Sequence, residues 1–305
     1  MTIFQAFANE NGLEPAKQSC LRELHGVLDA GCLSKPLPLP PGKRALTTRI
    51  IHKTRSDGSL KSRFVVRGCH QEHGDNYDDE QTYAPVIDRT CIRILFAIAA
   101  ATLAYIHTID INLAFLYGYL HEHIFIKPPP GITFGFSEDG TPLVSKLIKS
   151  LYGLRQAPAL FCGVLHTFLH SLGFKPCDQD RCLLYKFVDV SFIFIATHVD
   201  DILIVSDNLD LISELKASLA LKFQFKDQGE INNREYTGFE VTHDRTKGLV
   251  RLHCDSYISR SLRKLGIDTN SVFSATSPIA PRKHKDDSGD QPASELPNWN
   301  LRSLT

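Results

Sequence analysis

Residues 192–205 read Phe192-Ile-Phe-Ile-Ala-Thr-His-Val-Asp-Asp-Ile-Leu-Ile-Val205. Two apolar runs, rich in the β-branched and aromatic residues that favour strands, flank the adjacent carboxylates Asp200 and Asp201. The pattern predicts a buried β-hairpin whose tight turn presents both aspartates. Because Asp is common in turns, an ordinary acidic turn is an alternative explanation for the pair.

Two carboxylates side by side at the end of an apolar hairpin repel each other and resist the loss of water. A cation placed between them removes that cost. Mg²⁺ is favoured, because it prefers oxygen ligands and is usually held by one or two carboxylates plus substrate phosphates. The pair is therefore a candidate metal site.

A third carboxylate lies upstream, in the strand-like run Tyr105–Ile111. Asp110 falls where this run gives way to a turn or helix, a position at which sheet proteins often place catalytic side chains. A pair of metal ions about 3.5–4 Å apart, as polymerases use, needs carboxylates from more than one segment. Asp110 with Asp200 and Asp201 supplies such a set. A two-carboxylate phosphohydrolase is the alternative, and it would need a further ligand, for which His107 is the local candidate.

The bulk composition is that of an ordinary globular protein. The 305 residues are 43% hydrophobic and 22% charged, with a formal net charge of zero. The apolar run Cys91–Leu103 is too short for a membrane span and contains Arg93. The first residues lack the basic start of a signal peptide, and the eight scattered cysteines indicate free thiols in a reducing compartment. We therefore expect an intracellular protein, in a cytoplasmic particle or the nucleus, without a membrane span.

Positive charge is concentrated between residues 43 and 70, where eight Lys and Arg residues face a single acidic residue, Asp57. The pattern predicts a hairpin with strands Thr47–Lys53 and Leu60–Arg67 and a turn at Ser56-Asp57-Gly58. A basic hairpin suits contact with phosphate groups. A solvated edge strand is the alternative, because edge strands also carry charge.

Helical periodicity and capping residues predict the helices of the chain. They are expected at Pro15–Leu28, at Thr90–Leu103 with Thr90 as the cap, briefly between the Asp110 strand and Leu120, after Pro158 as far as Gly173, after the cap Asn208, and at Asp255–Leu265. The stripe expected to be buried in the second of these comprises Ile92, Leu95, Phe96 and Ala99.

Four motifs together resemble one family, the reverse transcriptases of copia-type long-terminal-repeat retrotransposons. They are Gln81-Thr-Tyr-Ala-Pro-Val86, Asp110-Ile-Asn-Leu-Ala-Phe-Leu-Tyr-Gly118, Leu151-Tyr-Gly-Leu-Arg-Gln-Ala-Pro158 and His198-Val-Asp-Asp201. Their order and spacing agree with the family from Leu21 to Gly266. Two departures stand out: His198 replaces the family's Tyr, and Ala159 replaces an Arg.

The resemblance implies an α+β, right-hand polymerase fold with fingers, a palm built on an antiparallel sheet, and a partial thumb. The expected divisions are a leader and Pro-rich linker (1–45), fingers (46–105), palm (106–245, with a return to the fingers near 131–156), partial thumb (246–276) and a disordered tail (277–305). The tail is rich in Pro, Asp, Ser and Lys and lacks periodicity, which is typical of disorder.

The resemblance also implies the role of each site residue. The catalytic set Asp110, Asp200 and Asp201 would bind two Mg²⁺ ions, which Mn²⁺ could replace. Nucleotide binding would involve Arg63 and Lys61 at the triphosphate, Phe115 beneath the ribose, Gln156 near the template base and Arg155 near phosphates. The primer grip would comprise Gly238, Phe239 and Glu240.

The implied function is RNA-directed and DNA-directed DNA synthesis by two-metal nucleotidyl transfer. The partners would be an RNA or DNA template-primer and deoxynucleoside triphosphates; the oligomeric state is not predicted. The alternative is a decayed or truncated element that keeps the palm fold and binds nucleic acid with little or no activity, and His198 and Ala159 favour it. We expect the acidic neighbours of His198 to favour its charged form.

Overall fold

The computed structural model describes residues 14–55, 58–79 and 82–267. In chain order the described helices and strands are α1 (Glu14–Asp29), β1 (Ala45–Leu46), β2 (Thr48–Thr54), β3 (Leu60–Val66), α2 (Arg89–Thr102), β4 (Tyr105–Ile111), β5 (Phe125–Ile126), β6 (Ser145–Lys146), α3 (Ala157–Ser171), β7 (Lys175–Pro176), β8 (Leu183–Val188), β9 (Ser191–His198), β10 (Asp201–Ser206), α4 (Leu209–Ala220), β11 (Phe225–Glu230), β12 (Arg234–Tyr236), β13 (Phe239–Asp244), β14 (Leu249–His253) and α5 (Asp255–Lys264). This mixture of helices and sheets agrees with the predicted α+β class.

The centre of the molecule is a six-stranded antiparallel sheet in the order β11-β4-β10-β9-β8-β7. Side chains alternate between its two faces, as the pleat of a strand requires. Ile109, Ile202 and Ile195 face α3 and α4, whereas Ile106 and Leu203 face α2 and the sheet β12-β13-β14. Both faces are covered at the centre of the sheet, in agreement with the long apolar runs of β9 and β10.

Helix α2 confirms the predicted buried stripe, since Ile92, Leu95, Phe96 and Ala99 are its buried residues. The predicted cap is wrong by two positions. Asp88 is the N-cap, and its carboxylate accepts a hydrogen bond from the backbone N–H of Thr90 at 2.6 Å. An acidic side chain is also favourable there because it faces the positive end of the helix dipole.

The remaining helices follow the sequence pattern closely. Asn208 caps α4 as predicted, accepting from the backbone N–H of Asp210 at 2.8 Å. Helix α3 ends before Gly173, whose φ of 87° is a left-handed conformation that suits glycine. The short helix expected before Leu120 is a single 3₁₀ turn over Ala114–Tyr117.

The N-terminal segment is more than a leader. Helix α1 packs its Cys20, Leu24 and Val27 into a hydrophobic core that also contains Phe64 of β3. The predicted helix at Pro15–Leu28 is confirmed, and it lies within the segment expected to be a leader and linker (1–45). The apolar face of α1 stabilises the basic hairpin, because it removes both from water.

The predicted hairpin of β2 and β3 is confirmed, with Thr48 paired to Val66 and Thr54 to Leu60. Its turn residues Ser56 and Asp57, and the tail 277–305, lie outside the described residues. The chain divides into one unit ending at Cys254 and a second beginning at Asp255, whose described part includes α5. Within the described ranges, no helix is both long and apolar enough to cross a bilayer.

Candidate active site

The three candidate carboxylates meet at one end of the central sheet. Asp110 on β4 and Asp201 on β10 are directly paired across neighbouring strands. Asp200 lies in the turn between β9 and β10, and its carbonyl accepts a hydrogen bond from the backbone N–H of Ile111 at 2.9 Å. The sequence therefore predicted the grouping correctly, but Asp201 is the first residue of β10 and not a turn residue.

The turn is tight and conformationally unusual. His198 and Asp201 pair across the hairpin, so only Val199 and Asp200 connect the strands. Val199 has a φ of 56°, a left-handed conformation that is costly for a β-branched residue. Such strain persists only where the surrounding structure imposes it, and it commonly marks functional sites.

Cross-strand pairing places Asp110, Asp201 and His198 on the same face of the sheet. His107 lies three residues before Asp110 and therefore on the opposite face. There Lys216 Nζ donates to His107 Nδ1 at 2.8 Å. His107 thus cannot complete a ligand set with Asp110, which argues against the phosphohydrolase alternative.

The carboxylates destabilise one another's charged forms. Burial, followed by the charges of Asp200 and Asp110, raises the pKa of Asp201 to about 6. Burial and the charge of Asp200 also raise the pKa of Asp110, against the opposing effects of Lys61, Lys226 and Arg63. The site therefore concentrates negative charge that a bound cation would neutralise.

This arrangement predicts that the metal-free protein loses stability as the pH rises. The folded state keeps the proton on Asp201 to a higher pH than the unfolded chain does. The stability that this bound proton contributes is therefore present below about pH 4 and lost as the pH passes about 6. After allowance for partial exposure, we expect a fall of about 1–2 kcal/mol in the free energy of unfolding. Urea denaturation in EDTA from pH 4 to 8 measures it.

Asp201→Asn is the matched variant for this experiment. It should remove most of the pH-dependent fall, because the amide is neutral throughout the range. An unchanged pH profile in the variant would assign the fall to other groups.

The donor set fits Mg²⁺. Within the described ranges, no group of three or more His, Cys, Asp or Glu side chains is arranged so that it could hold a metal ion alone. Mg²⁺ does not need such a group, because it uses one or two carboxylates and takes its other ligands from water and substrate phosphates. Hard oxygen donors that repel one another are the chemistry that this ion stabilises.

Burial lowers the pKa of His198, and the charge of Arg89 lowers it further. The charge of Asp200 raises the pKa, as expected of an acidic neighbour, but by less than burial lowers it. The Nδ1 atom of His198 is buried and has no hydrogen-bond partner among the residues that the structure describes. The neutral imidazole is therefore favoured, because loss of water penalises the charged form more than one neighbouring carboxylate favours it.

The basic hairpin presents its cations on a single face. Lys61 and Arg63 of β3 pair with Lys53 and Ile51 of β2, so these four side chains share one face. With Tyr152 they line a cavity of about 610 Å³. Burial and the neighbouring Arg63 lower the pKa of Lys61, which shows that the cations are crowded. An anionic ligand would relieve that repulsion.

Phe115, five residues after Asp110, contacts Tyr152, which lines the cationic cavity. It is half-buried in the 3₁₀ turn after β4, and its ring meets that of Tyr152 edge-on, with centroids 5.0 Å apart. The guanidinium of Arg63 lies over the Tyr152 ring, 4.7 Å from its centre. The structure thus connects two predicted nucleotide residues through a third, Tyr152, that the prediction omitted.

Gln156, which the resemblance places near the template base, lies inside the protein. It is 1% exposed, its Oε1 accepts from Gln71 at 2.9 Å, and its Nε2 donates to the carbonyl of Asn76 at 2.9 Å. Both ends of the amide are therefore engaged inside the protein. Arg155 is exposed, and its guanidinium lies 4.8 Å from the centre of the Tyr77 ring.

The predicted primer-grip residues lie at the turn between β12 and β13. Tyr236 pairs with Phe239, leaving Thr237 and Gly238 as a two-residue turn in which both have positive φ. Gly238 is exposed at the tip, but Phe239 is 8% exposed and belongs to the hydrophobic core. Of the two, only Gly238 is accessible to a ligand; Glu240 is half-buried on β13.

The family of the chain follows from comparison with known proteins. Residues 35–281 match the family model described as reverse transcriptase (RNA-dependent DNA polymerase). The match covers most of the chain, and the chain therefore belongs to the reverse transcriptase family.

Three relatives show which members of the family the chain is similar to. It is 33% identical over 239 residues to the retrovirus-related Pol polyprotein from transposon TNT 1-94 of Nicotiana tabacum. It is 34% identical over 232 residues to that from transposon RE1 of Arabidopsis thaliana, and 27% identical over 234 residues to the transposon Ty1-NL2 Gag-Pol polyprotein of Saccharomyces cerevisiae. These matches confirm the copia-type resemblance.

The aligned regions cover 76%, 75% and 75% of this chain. They span only 18%, 15% and 13% of the respective polyproteins. The chain is thus similar to the reverse transcriptase portion of much longer proteins.

Proposed function

We propose that the chain catalyses RNA-directed and DNA-directed DNA synthesis. The observation that carries the proposal is the direct pairing of Asp110 with Asp201, with Asp200 in the adjoining turn, in a chain of the reverse transcriptase family. In this proposal the central sheet is the palm, the β2–β3 hairpin belongs to the fingers, and residues 246–276 form a partial thumb.

In the proposed reaction Asp110 and Asp200 would hold two Mg²⁺ ions, and Asp201 would support them through its charge. Metal bound there would supply charge stabilisation, by lowering the pKa of the primer 3′-hydroxyl and neutralising the charge on the leaving pyrophosphate. The chain's own cations Lys61 and Arg63 would bind the triphosphate, for which the guanidinium offers bidentate hydrogen bonds.

Primer extension is the first test. The chain, with Mg²⁺ and dTTP, should extend oligo(dT) on poly(rA), and the corresponding DNA template should also be copied. Measuring template-primer binding on the same samples identifies the decayed-element alternative, which the replacement of the family's Tyr by His198 favours. Binding without extension would establish that alternative. If the chain neither binds the template-primer nor extends it, both hypotheses are excluded.

Sugar selection by Phe115 is a further prediction within this proposal. The half-buried ring sits beside Tyr152, where the ribose of an incoming nucleotide would pack against it. Phe115→Val should therefore admit ribonucleotides and reduce discrimination against them by about 10- to 100-fold, because steric exclusion of a hydroxyl is lost. Single-nucleotide incorporation of dTTP and UTP measures the ratio.

Phe115→Tyr is the control, because it keeps the ring and should keep the selectivity. If Phe115→Val folds and remains as selective as the parent, the residue belongs to the core alone and selection lies elsewhere.

A further inference from the structure

Helix α1 completes the free edge of the basic hairpin. Strand β3 pairs with β2 on one side, and on the other side Ser19 and Glu23 of α1 take the place of a neighbouring strand. The Ser19 hydroxyl donates to the carbonyl of Leu60 and accepts from the backbone N–H of Ser62, both at 2.9 Å. Edge strands need such cover, because their unpaired backbone groups otherwise remain open.

Glu23 makes two different contacts from this position. Its Oε1 accepts a hydrogen bond from the backbone N–H of Phe64 at 3.3 Å, and its Oε2 forms an ion pair with Arg63, also at 3.3 Å. The Glu23 side chain is 8% exposed and that of Arg63 is 29% exposed. The backbone contact holds the hairpin, whereas the ion pair acts on a side chain that lines the cationic cavity.

The guanidinium of Arg63 is therefore held from two directions. One nitrogen meets the Glu23 carboxylate, and the guanidinium as a whole lies over the ring of Tyr152. A free Arg side chain has large rotational freedom, which phosphate binding would have to remove. A guanidinium that is already held loses less freedom when a ligand binds.

We propose that Glu23 is a positioning residue of the nucleotide site, which acts by holding the Arg63 guanidinium for the triphosphate. The inference rests on the proposed function, because it takes the cavity beside Arg63 as the site of the phosphates. The Glu23 carboxylate contacts one edge of the Arg63 guanidinium and leaves the other N–H donors for the ligand. The negative charge of Glu23 would by itself repel phosphate, so the sign of the effect distinguishes positioning from repulsion.

Binding of inorganic tripolyphosphate to the full chain, measured by calorimetry, tests the proposal without catalysis. Glu23→Gln keeps the size of the side chain and the acceptor for Phe64 but loses the ion pair. We expect it to weaken tripolyphosphate binding by about 3- to 10-fold, the cost of immobilising one flexible side chain. In primer extension the KM for dTTP should rise by a similar factor while kcat stays within about twofold, as for loss of uniform binding.

Two controls separate positioning from a structural effect. Ser19→Ala removes the hydrogen bonds that Ser19 makes with β3, so it should lower the melting temperature without changing the tripolyphosphate Kd. In an Arg63→Gln background, Glu23→Gln should have no further effect, because the group that it positions is gone. If Glu23→Gln does not fold, Glu23→Asp keeps the charge but shortens the side chain, and the same loss of affinity is expected.

The outcomes distinguish this inference from the proposed function. If Arg63→Gln leaves tripolyphosphate binding unchanged, the hairpin is not the phosphate site and the nucleotide assignment fails. If Arg63→Gln weakens binding but Glu23→Gln leaves it unchanged or strengthens it, the positioning role is wrong and the proposed function stands. If Glu23→Gln still weakens tripolyphosphate binding in the Arg63→Gln background, positioning through Arg63 is also wrong.

Discussion

Replacement of Asp200 or Asp110 by Asn should abolish primer extension while the protein remains folded. The carboxylates are expected to hold the metal ions, and metal-centred charge stabilisation contributes several kcal/mol to such reactions, so we expect a loss of at least about 1,000-fold. Single-turnover incorporation of one dTTP on poly(rA)·oligo(dT) measures the effect and separates chemistry from product release.

Stability provides an internal control for these variants. Besides burial, the charge of Asp200 raises the pKa of Asp110 and of Asp201, and the charge of Asp110 raises that of Asp201, so neutralising Asp110 or Asp200 should leave the melting temperature in EDTA unchanged or higher. Added Mg²⁺ should stabilise the parent more than it stabilises either variant. Near-normal activity in Asp110→Asn or Asp200→Asn would show that the metal assignment is wrong.

Gly153→Ala should destabilise the protein by about 3 kcal/mol or more and reduce the yield of folded chain. Gly153 has a φ of 92°, and a Cβ built there would lie 2.0 Å from the carbonyl oxygen of Val66 and 2.6 Å from a methyl carbon of Val65. The substitution therefore combines backbone strain with overlap against a strand, each costing about 1–3 kcal/mol. Urea denaturation measures the loss.

The chain offers two matched controls for this substitution. Gly131 also has a positive φ, of 82°, but an added Cβ would meet none of the described residues within 4 Å, so Gly131→Ala reports backbone strain alone. Gly163 lies within α3 and is likewise open, so Gly163→Ala should be neutral or stabilising. If Gly153→Ala costs no more than Gly131→Ala, the close approach to β3 is not important for stability.

This contact also has a functional consequence. The backbone N–H of Val66 donates to the carbonyl of Tyr152 at 2.8 Å, and a Cβ at Gly68 would lie 2.0 Å from the carbonyl oxygen of Gly153. The loop before α3 is thus packed against the basic hairpin backbone to backbone. Tyr152 is held beneath Arg63 by this approach, so a bulkier residue at position 153 should also disturb the proposed phosphate site.

The sequence by itself determined the elements and the candidate chemistry. Apolar runs interrupted by charged residues indicated β4, β9 and β10, and the motifs around Asp110 and Asp200 indicated a shared carboxylate site. These signals are local: strand and helix patterns depend on residues a few positions apart, and a motif retains its residues and their spacing. The family and the α+β class followed from them.

Tertiary structure alone decided which of these residues are accessible and which are partners. It paired Asp201 with Asp110, placed His107 on the opposite face, buried Gln156 and Phe239, and brought Glu23 to Arg63 across 40 positions of the chain. A helical Glu carries no sequence mark of such a contact, because the partner is set by how α1 packs on β3. Burial likewise outweighs the effect of Asp200 on the pKa of His198, since the cost of removing water depends on everything packed around the ring.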